Sequence, residues 1–282
     1  MVAIATLVNV NALKDLELLL YTLELWNIEK PTVYIYTDHD TATKIRNILY
    51  TGKVVIKEEL NAYAGLNRSQ MEQLPGVTFT TRFADFCAMK PRLLEWAITE
   101  EKAGVLFCDA DICHLGPLPI IPADSQLVVS PHMIRRFDTD RFGVYNAGYL
   151  YIGSVEVAKK WLELCATSRF FEQGCLEDLY AQYRASAHTF PASVNYGWWR
   201  LFQGDEKPDT LKKQWHIKRQ EGTVGLIVNG LPVQSIHTHF GEKSDFLTVE
   251  FNRWILETLK KLESVRKTKQ LLGFIRKTFS LQ

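Results

Sequence analysis

Long apolar runs are missing from this chain of 282 residues. No window approaches the roughly 18 consecutive apolar residues that a membrane-spanning helix needs. Net charge is almost absent too: 33 Lys and Arg against 32 Asp and Glu leave +1, so the bulk composition carries no footprint for nucleic acid. Cysteine is scarce. Cys87, Cys108, Cys113, Cys165 and Cys175 are odd in number and scattered, which argues against a disulfide framework and for reduced, packed thiols. Cys108 and Cys113 straddle a pair of aspartates, but neither belongs to a Cys-x-x-Cys pair, so packing outweighs a zinc site. Met1–Val10 has no basic n-region and no small-residue cleavage site, and reads as a first strand instead of a signal peptide. A cytosolic or cytosol-facing setting is the expectation. Internal repeats, low-complexity tracts and clear linkers are also lacking. What is present is a 46% hydrophobic chain, enough for a sizeable core in one large domain or two small ones.

The apolar pattern alternates between strands and helices. Val2–Val10 reads as a strand and Asn11–Trp26 as a helix with a leucine stripe and Asn11 as its cap. Pro31–Thr37 is a second strand, Thr41–Leu49 a short helix and Lys53–Lys57 a third strand, which together open a parallel, doubly wound sheet. Glu58–Thr81 reads as a long loop bordering a ligand. Arg82–Thr99 reads as one helix, with Pro91 tolerated only near a start or kink. Strands follow at Val105–Asp109, Gln126–Ser130 and Tyr145–Gly153. Helices follow at Val155–Thr167 and over 172–184. Gln203–Gly225 is expected to loop out. Short strands at Leu226–Val228 and Val233–Ile236 run into His237-Thr238-His239, and Phe246–Phe279 forms a long helical region.

The stretch Val105-Leu-Phe-Cys-Asp-Ala-Asp-Ile-Cys-His-Leu115 concentrates the chemistry. A buried strand ends in Asp109 and Asp111, and period-two geometry predicts that both carboxylates leave one side of an extended segment. With the small Ala110 between them, they can share a hard divalent cation, and such a metal can grip a diphosphate. Asp is also common where a strand turns, so the pair alone is a weak signal.

The order of the surrounding segments makes it stronger. Thr6-Leu7-Val8-Asn9, Lys90, Phe107-Cys-Asp-Ala-Asp-Ile, Tyr145-Asn146-Ala147-Gly148, Glu172-Gln173-Gly174-Cys-Leu, Phe190-Pro191 through Val194-Asn195-Tyr196, and His239-Phe240-Gly241-Glu242-Lys243 follow one another over residues 1–245. In that order the chain resembles the glycogenin-like, family 8 glycosyltransferases of the GT-A fold. Their counterparts are a first strand at the nucleotide-binding edge, a lysine before the metal strand, Met-Asp-Ala-Asp-Thr, Phe-Asn-Ser-Gly, Asp-Gln-Gly-x-Leu, Leu-Pro through Tyr-Asn, and His-Phe-x-Gly-x-x-Lys-Pro-Trp. The chain departs at Glu172, at a last motif one residue shorter, and at Ser244-Asp245 in place of Pro-Trp.

The resemblance implies a mixed, mostly parallel GT-A sheet flanked by helices, over residues 1–245, with 246–282 as a C-terminal helical extension. It implies transfer of a sugar from a nucleotide donor, UDP-linked, to a hydroxyl on a glycan, lipid or protein acceptor, with retention of configuration. Asp109, Asp111 and His239 are the expected metal ligands, with His237 as the rival. Manganese suits such a set and magnesium is the substitute. Leu7, Val8, Asn9, Asn11 and Ala110 are expected along the nucleotide. Lys90, Gly241 and Lys243 are expected at the diphosphate, where positive charge would assist its departure. Asn146, Gly148, Glu172 and Gln173 are expected at the donor sugar, with Asp178 as a fallback carboxylate. Trp198 and Trp199 read equally well as an acceptor platform or as packing. A sugar nucleotidyltransferase is disfavoured because Asn9–Lys14 lacks a Gly-rich, basic loop. A non-catalytic carbohydrate- or partner-binding module on the same scaffold is the other rival.

The tail has its own character. Lys260, Lys261, Arg266, Lys267, Lys269, Arg276 and Lys277 accompany Leu271, Leu272, Phe274 and Phe279. A basic amphipathic helix can lie on an anionic membrane or pack on the domain. The pattern favours packing for Phe246–Leu262 and leaves both readings for Arg266–Phe279.

Overall fold

The computed structural model describes residues 1–220 and 223–281. The chain opens as the alternation predicts. β1 (Ala3–Val8), α1 (Leu13–Trp26), β2 (Val33–Thr37), α2 (His39–Ile45) and β3 (Val54–Lys57) alternate, with all strand pairs between them parallel. β1 is buried along its whole length, as a strand covered on both faces must be. Ala3, Ala5 and Leu7 face one layer, while Ile4 and Val8 face the leucines of α1 on the other.

Asn67 and Gln70 cap one another reciprocally and start a helix, α3 (Arg68–Gln73), inside the expected loop; this capping box was the signal for it. The single helix expected at Arg82–Thr99 is two. α4 (Arg82–Cys87) stops and α5 (Met89–Glu101) starts at Ala88. Pro91 then falls in the first turn of α5, where its missing N–H costs no hydrogen bond.

β4 (Val105–Cys108) is fully buried and lies parallel to β1. The chain then turns into β5 (Ile112–His114), with the Ile112 N–H donating to the Asp109 carbonyl at 3.1 Å. The aspartates therefore sit in a turn, not on a continuing strand. They converge because the backbone reverses, not because strand residues alternate.

β6 (Leu127–Pro131), α6 (Arg136–Phe142), β7 (Tyr145–Ile152), α7 (Val155–Cys165), α8 (Leu176–Gln182) and β8 (Ala187–Thr189) complete a seven-stranded, mainly parallel sheet of order β3-β2-β1-β4-β7-β6-β8. β7 runs antiparallel to both neighbours, and β6 is parallel to β8.

The remainder builds a second layer. β9 (Tyr196–Gly197), α9 (Trp198–Phe202), α10 (Pro208–Lys213), β10 (Trp215–Gln220), β11 (Thr223–Val228), β12 (Leu231–Pro232) and β13 (Ser235–His237) follow. The expected loop 203–225 thus contains a helix and most of a hairpin; its positions 221 and 222 lie outside the described residues. The polar and charged composition of the stretch reads as a loop, yet Trp215 is buried. The tail is two helices, α11 (Phe246–Lys260) and α12 (Arg266–Phe279). Phe251, Ile255, Leu271, Leu272, Ile275 and Phe279 are buried in one cluster with Leu18 of α1 and Ile236 of β13, and Phe274 stacks on Tyr21 at 3.9 Å. The apolar face of α12 is therefore covered by the rest of the chain. All five cysteines are free and buried, as packed thiols should be.

Candidate metal centre

The turn after β4 brings Asp109 and Asp111 together with His237. One ligand atom from each lies within 4.8 Å of the others, with Asp111 and His237 buried and Asp109 half-buried. The Asp109 N–H is fixed by the Gly148 carbonyl of β7 at 2.8 Å. Gly148 is required here. A Cβ on it would lie 2.4 Å from the His237 ring and 2.5 Å from an Asp109 carboxylate oxygen.

His237 reaches the cluster through strand register. β13 pairs antiparallel with β5, His237 opposite Ile112, and parallel with β9, His237 opposite Gly197. Its Nε2 lies 3.1 Å from Asp111 and 3.9 Å from Asp109. The three-residue cluster therefore takes in His237, the rival candidate, and not the expected His239. His239 approaches the same Asp111 oxygen, Oδ2, through Nε2 at 3.1 Å, but its Nδ1 faces Asp15 at 3.3 Å. With both nitrogens facing carboxylates, its imidazole is pushed up to about 10, chiefly by Asp111 against the opposing effect of burial. Spacing held the signal: in the resembling motif six positions separate His from Lys, and counting back six from Lys243 reaches His237.

A hydrogen-bond relay fixes the tautomer of His237. The Gly148 N–H donates to Asn146 Oδ1 at 2.9 Å, which orients the Asn146 amide. Asn195 Nδ2 donates to the same oxygen at 2.9 Å, so Asn195 Oδ1 is the acceptor that faces His237 Nδ1 at 3.0 Å. Nδ1 then carries a proton, and Nε2 is the nitrogen that faces the aspartates and can bind a metal ion there. At the other end, His132 Nδ1 donates to the Gly143 carbonyl at 3.0 Å, and its Nε2 accepts from Asn146 at 3.2 Å. Burial pushes His132 down to about 4, consistent with a neutral ring.

Lys90 projects from the first turn of α5 beneath the cluster. Its ammonium lies 2.7 Å from Glu172 and 3.1 Å from Asp109. Burial by itself would drive it toward neutrality, but Asp109 and Glu172 outweigh that and hold its pKa above the ordinary lysine range. Burial lifts the Asp109 carboxyl against the pull of Lys90. For Asp111 the balance reverses: His237 and His239 outweigh burial and hold it well below the usual carboxylate range.

The other expected residues divide. Gln173 is brought to the Asn146 strand, its Oε1 accepting from the Ala147 N–H at 3.2 Å while its Nε2 donates to the Phe142 carbonyl at 2.8 Å. Asn9 and Asn11 both donate to the Leu66 carbonyl, at 2.9 and 3.0 Å, and so pin the loop before α3 to the end of β1. Leu7 and Val8 are buried in the core, and Ala110 sits in the aspartate turn. Asp178 is exposed on α8 and does not join the cluster. Trp199 lies edge-on to His237 with centroids 4.9 Å apart, and Trp198 packs against it. Gly241 approaches Phe279, and Lys243 is exposed. In that loop the Glu242 carboxylate accepts the N–H groups of Lys243, Ser244 and Asp245, and bonds to Ser244 and these amides hold it down at about 2. Asp15, His132 and Glu242 were not singled out by sequence reading, and Asn195 was noted only as part of a motif. A lone polar residue in a helix, a strand end or a loop carries no local mark of its partner.

No family model matches the sequence, and no curated protein matches it. Solved structures do match in shape. The apo-form glycosyltransferase GlyE of Streptococcus pneumoniae TIGR4 superposes with a TM-score of 0.52 at 16% identity, over 96% of this chain and 62% of that one. An active-site mutant of LgtC superposes with a TM-score of 0.50 at 12% identity, over 90% and 95%. The chain thus spans about three fifths of GlyE and nearly all of LgtC. At these identities the likeness establishes the fold: this is the GT-A architecture of glycosyltransferases.

Proposed function

We propose that the protein is a metal-dependent glycosyltransferase that moves a sugar from a nucleotide donor, UDP-linked, to a hydroxyl acceptor with retention of configuration. The observation that carries this reading is the Asp109, Asp111 and His237 cluster where β4 of a GT-A sheet ends. Two carboxylates and an imidazole with its Nε2 turned inward fit a divalent cation of the manganese or magnesium kind. Once bound there, such an ion supplies charge stabilisation for a departing diphosphate.

The chain's own residues support the same chemistry. Lys90 places a buried ammonium beside Asp109, where its charge is preorganised and needs no solvent rearrangement when negative charge develops nearby. Glu172 balances Lys90 and holds it in place. Gly148 lets β7 approach without a side chain in the way. Asn146 and Gln173 spend their polar atoms on one another and on neighbouring backbone, so in this reading they shape the donor-sugar wall more than they grip it. Lys243, exposed on its loop, is free to reach toward a bound diphosphate.

A thermal-shift panel of nucleotide sugars with manganese tests the proposal. A ligand at about 100 times its Kd stabilises the native state by about 2.7 kcal/mol. UDP-sugars should stand out, only with the metal, and the shift should vanish in Asp111→Asn. NMR of the first product formed checks retention. If no nucleotide sugar shifts the transition and none is consumed, the proposal fails.

A further inference from the structure

The sheet has two ends, and the second one is also furnished. At the end where the parallel strands begin lies a shallow groove of about 840 Å³, lined by Trp26, Ile28, Leu118, Ile120 and Lys267 among others. Ile28 follows α1 and leads toward β2. Ile120 lies on the connection into β6, which starts at the same end, because β6 is antiparallel to β7 and β7 is antiparallel to β4. Ile28 is 98% and Ile120 93% exposed. Two branched aliphatic side chains almost wholly in water, on two loops flanking one apolar groove, are a marked surface, unlike isolated exposed residues.

Beside the groove runs the basic start of α12. The Lys267 ammonium sits 5.2 Å above the Trp26 ring. Lys260, Lys261, Arg266, Lys267 and Lys269 are all exposed. Glu263, the acidic residue in their midst, pairs with Arg276 at 3.5 Å, further along the helix. Among the described residues none of these five cations has a carboxylate partner. Lys267 at the groove, with four further exposed cations beside it in sequence, outnumbers the one acidic lining residue, Glu29; this charge, with two exposed aliphatic tips and a half-buried tryptophan, complements an anionic lipid surface.

We propose that this end of the molecule docks on an anionic bilayer, with Ile28 and Ile120 entering the headgroup layer and Lys260, Lys261, Arg266, Lys267 and Lys269 meeting lipid phosphates. The apolar face of α12 takes no part, because Leu271, Leu272, Ile275 and Phe279 are buried. The docking face and the Asp109–Asp111 turn are at opposite ends of the strands. A docked molecule therefore turns its metal cluster away from the bilayer, and an acceptor reaches it from the aqueous side. This proposal does not depend on glycosyl transfer.

Vesicle flotation of the full chain tests it, using phosphatidylcholine vesicles with and without phosphatidylglycerol. Binding should require phosphatidylglycerol and fall as salt rises. The pair Ile28→Ser with Ile120→Ser, and separately Lys267→Glu with Lys269→Glu, should each weaken binding about tenfold or more. Asp111→Asn should bind like the parent. All four positions in the two pairs are exposed, so an unchanged thermal transition confirms intact folding. Three results would overturn the proposal: no flotation at low salt, flotation unaffected by both pairs, or a dimer in solution that the isoleucine pair dissolves, which would assign the patch to a second copy of the chain.

Discussion

At the scale of single residues, the difference between His237 and His239 is a difference of neighbours. Two positions apart on one short strand and its exit, their side chains leave on the same side, and both touch Asp111. His237 is committed to one tautomer by Asn195, while His239 is held as a cation between two carboxylates. Residues that orient a ligand histidine typically contribute 10–100-fold to metal affinity. Asn195 adopts a left-handed backbone, φ 58°, so glycine is the substitution that removes its side chain without strain. Asn195→Gly should weaken manganese binding by about 10–100-fold in a calorimetric titration. Asn195→Asp keeps an acceptor for Nδ1 but sets a carboxylate oxygen against Asn146 Oδ1, so it should fall between the parent and Asn195→Gly. NMR of the His237 ring nitrogens should show the Nδ1-protonated form in the parent and a mixture in Asn195→Gly. Equal affinities and equal spectra in all three proteins would remove Asn195 from the site.

At the scale of elements, the site depends on four backbone segments meeting without side chains between them. β4 stops at Cys108, β5 leaves at Ile112, β13 slots between β5 and β9, and β7 passes beneath with Gly148 at the crossing. Gly148→Ala puts a methyl group in contact with both Asp109 and His237. Overpacking of this kind costs about 1–3 kcal/mol. Here it should also push the two ligands apart, so chemical denaturation should show that loss while manganese binding falls by more than the stability change explains. Unchanged metal binding in a folded Gly148→Ala protein would mean that the cluster is looser than its geometry indicates.

At the scale of the whole molecule, the helices after Asp245 are part of the core. The division into residues 1–245 and 246–282 predicts that substitutions in α12 hardly affect the sheet. The burial of Leu271 against the α1 and β13 side chains predicts otherwise. Leu271→Ala should cost about 2–5 kcal/mol in a single cooperative unfolding transition, as for a leucine in any well-packed core. A separate, earlier transition, or a cost below about 1 kcal/mol, would restore α11 and α12 to an independent extension.

The sequence by itself determined the alternating strands and helices through Lys57, the buried strand from Val105, the two aspartates at its end and the absence of a membrane-spanning run. These are local facts: strand and helix periods, and the cost of burying charge, act within a few residues of the chain. The resemblance added Lys90, Asn146, Gly148, Glu172 and Gln173 as residues expected at one site. Tertiary structure decided the rest. It bent Asp109-Ala110-Asp111 into a turn, brought His237 to both aspartates by the register of β13, drew Asp15 of α1 to His239 across 224 positions of chain, and covered the apolar stripe of α12. Apart from the turn itself, these rest on contacts between segments far apart in sequence, where the partner that satisfies a buried polar atom or an apolar face is set by packing, and no local pattern carries its address.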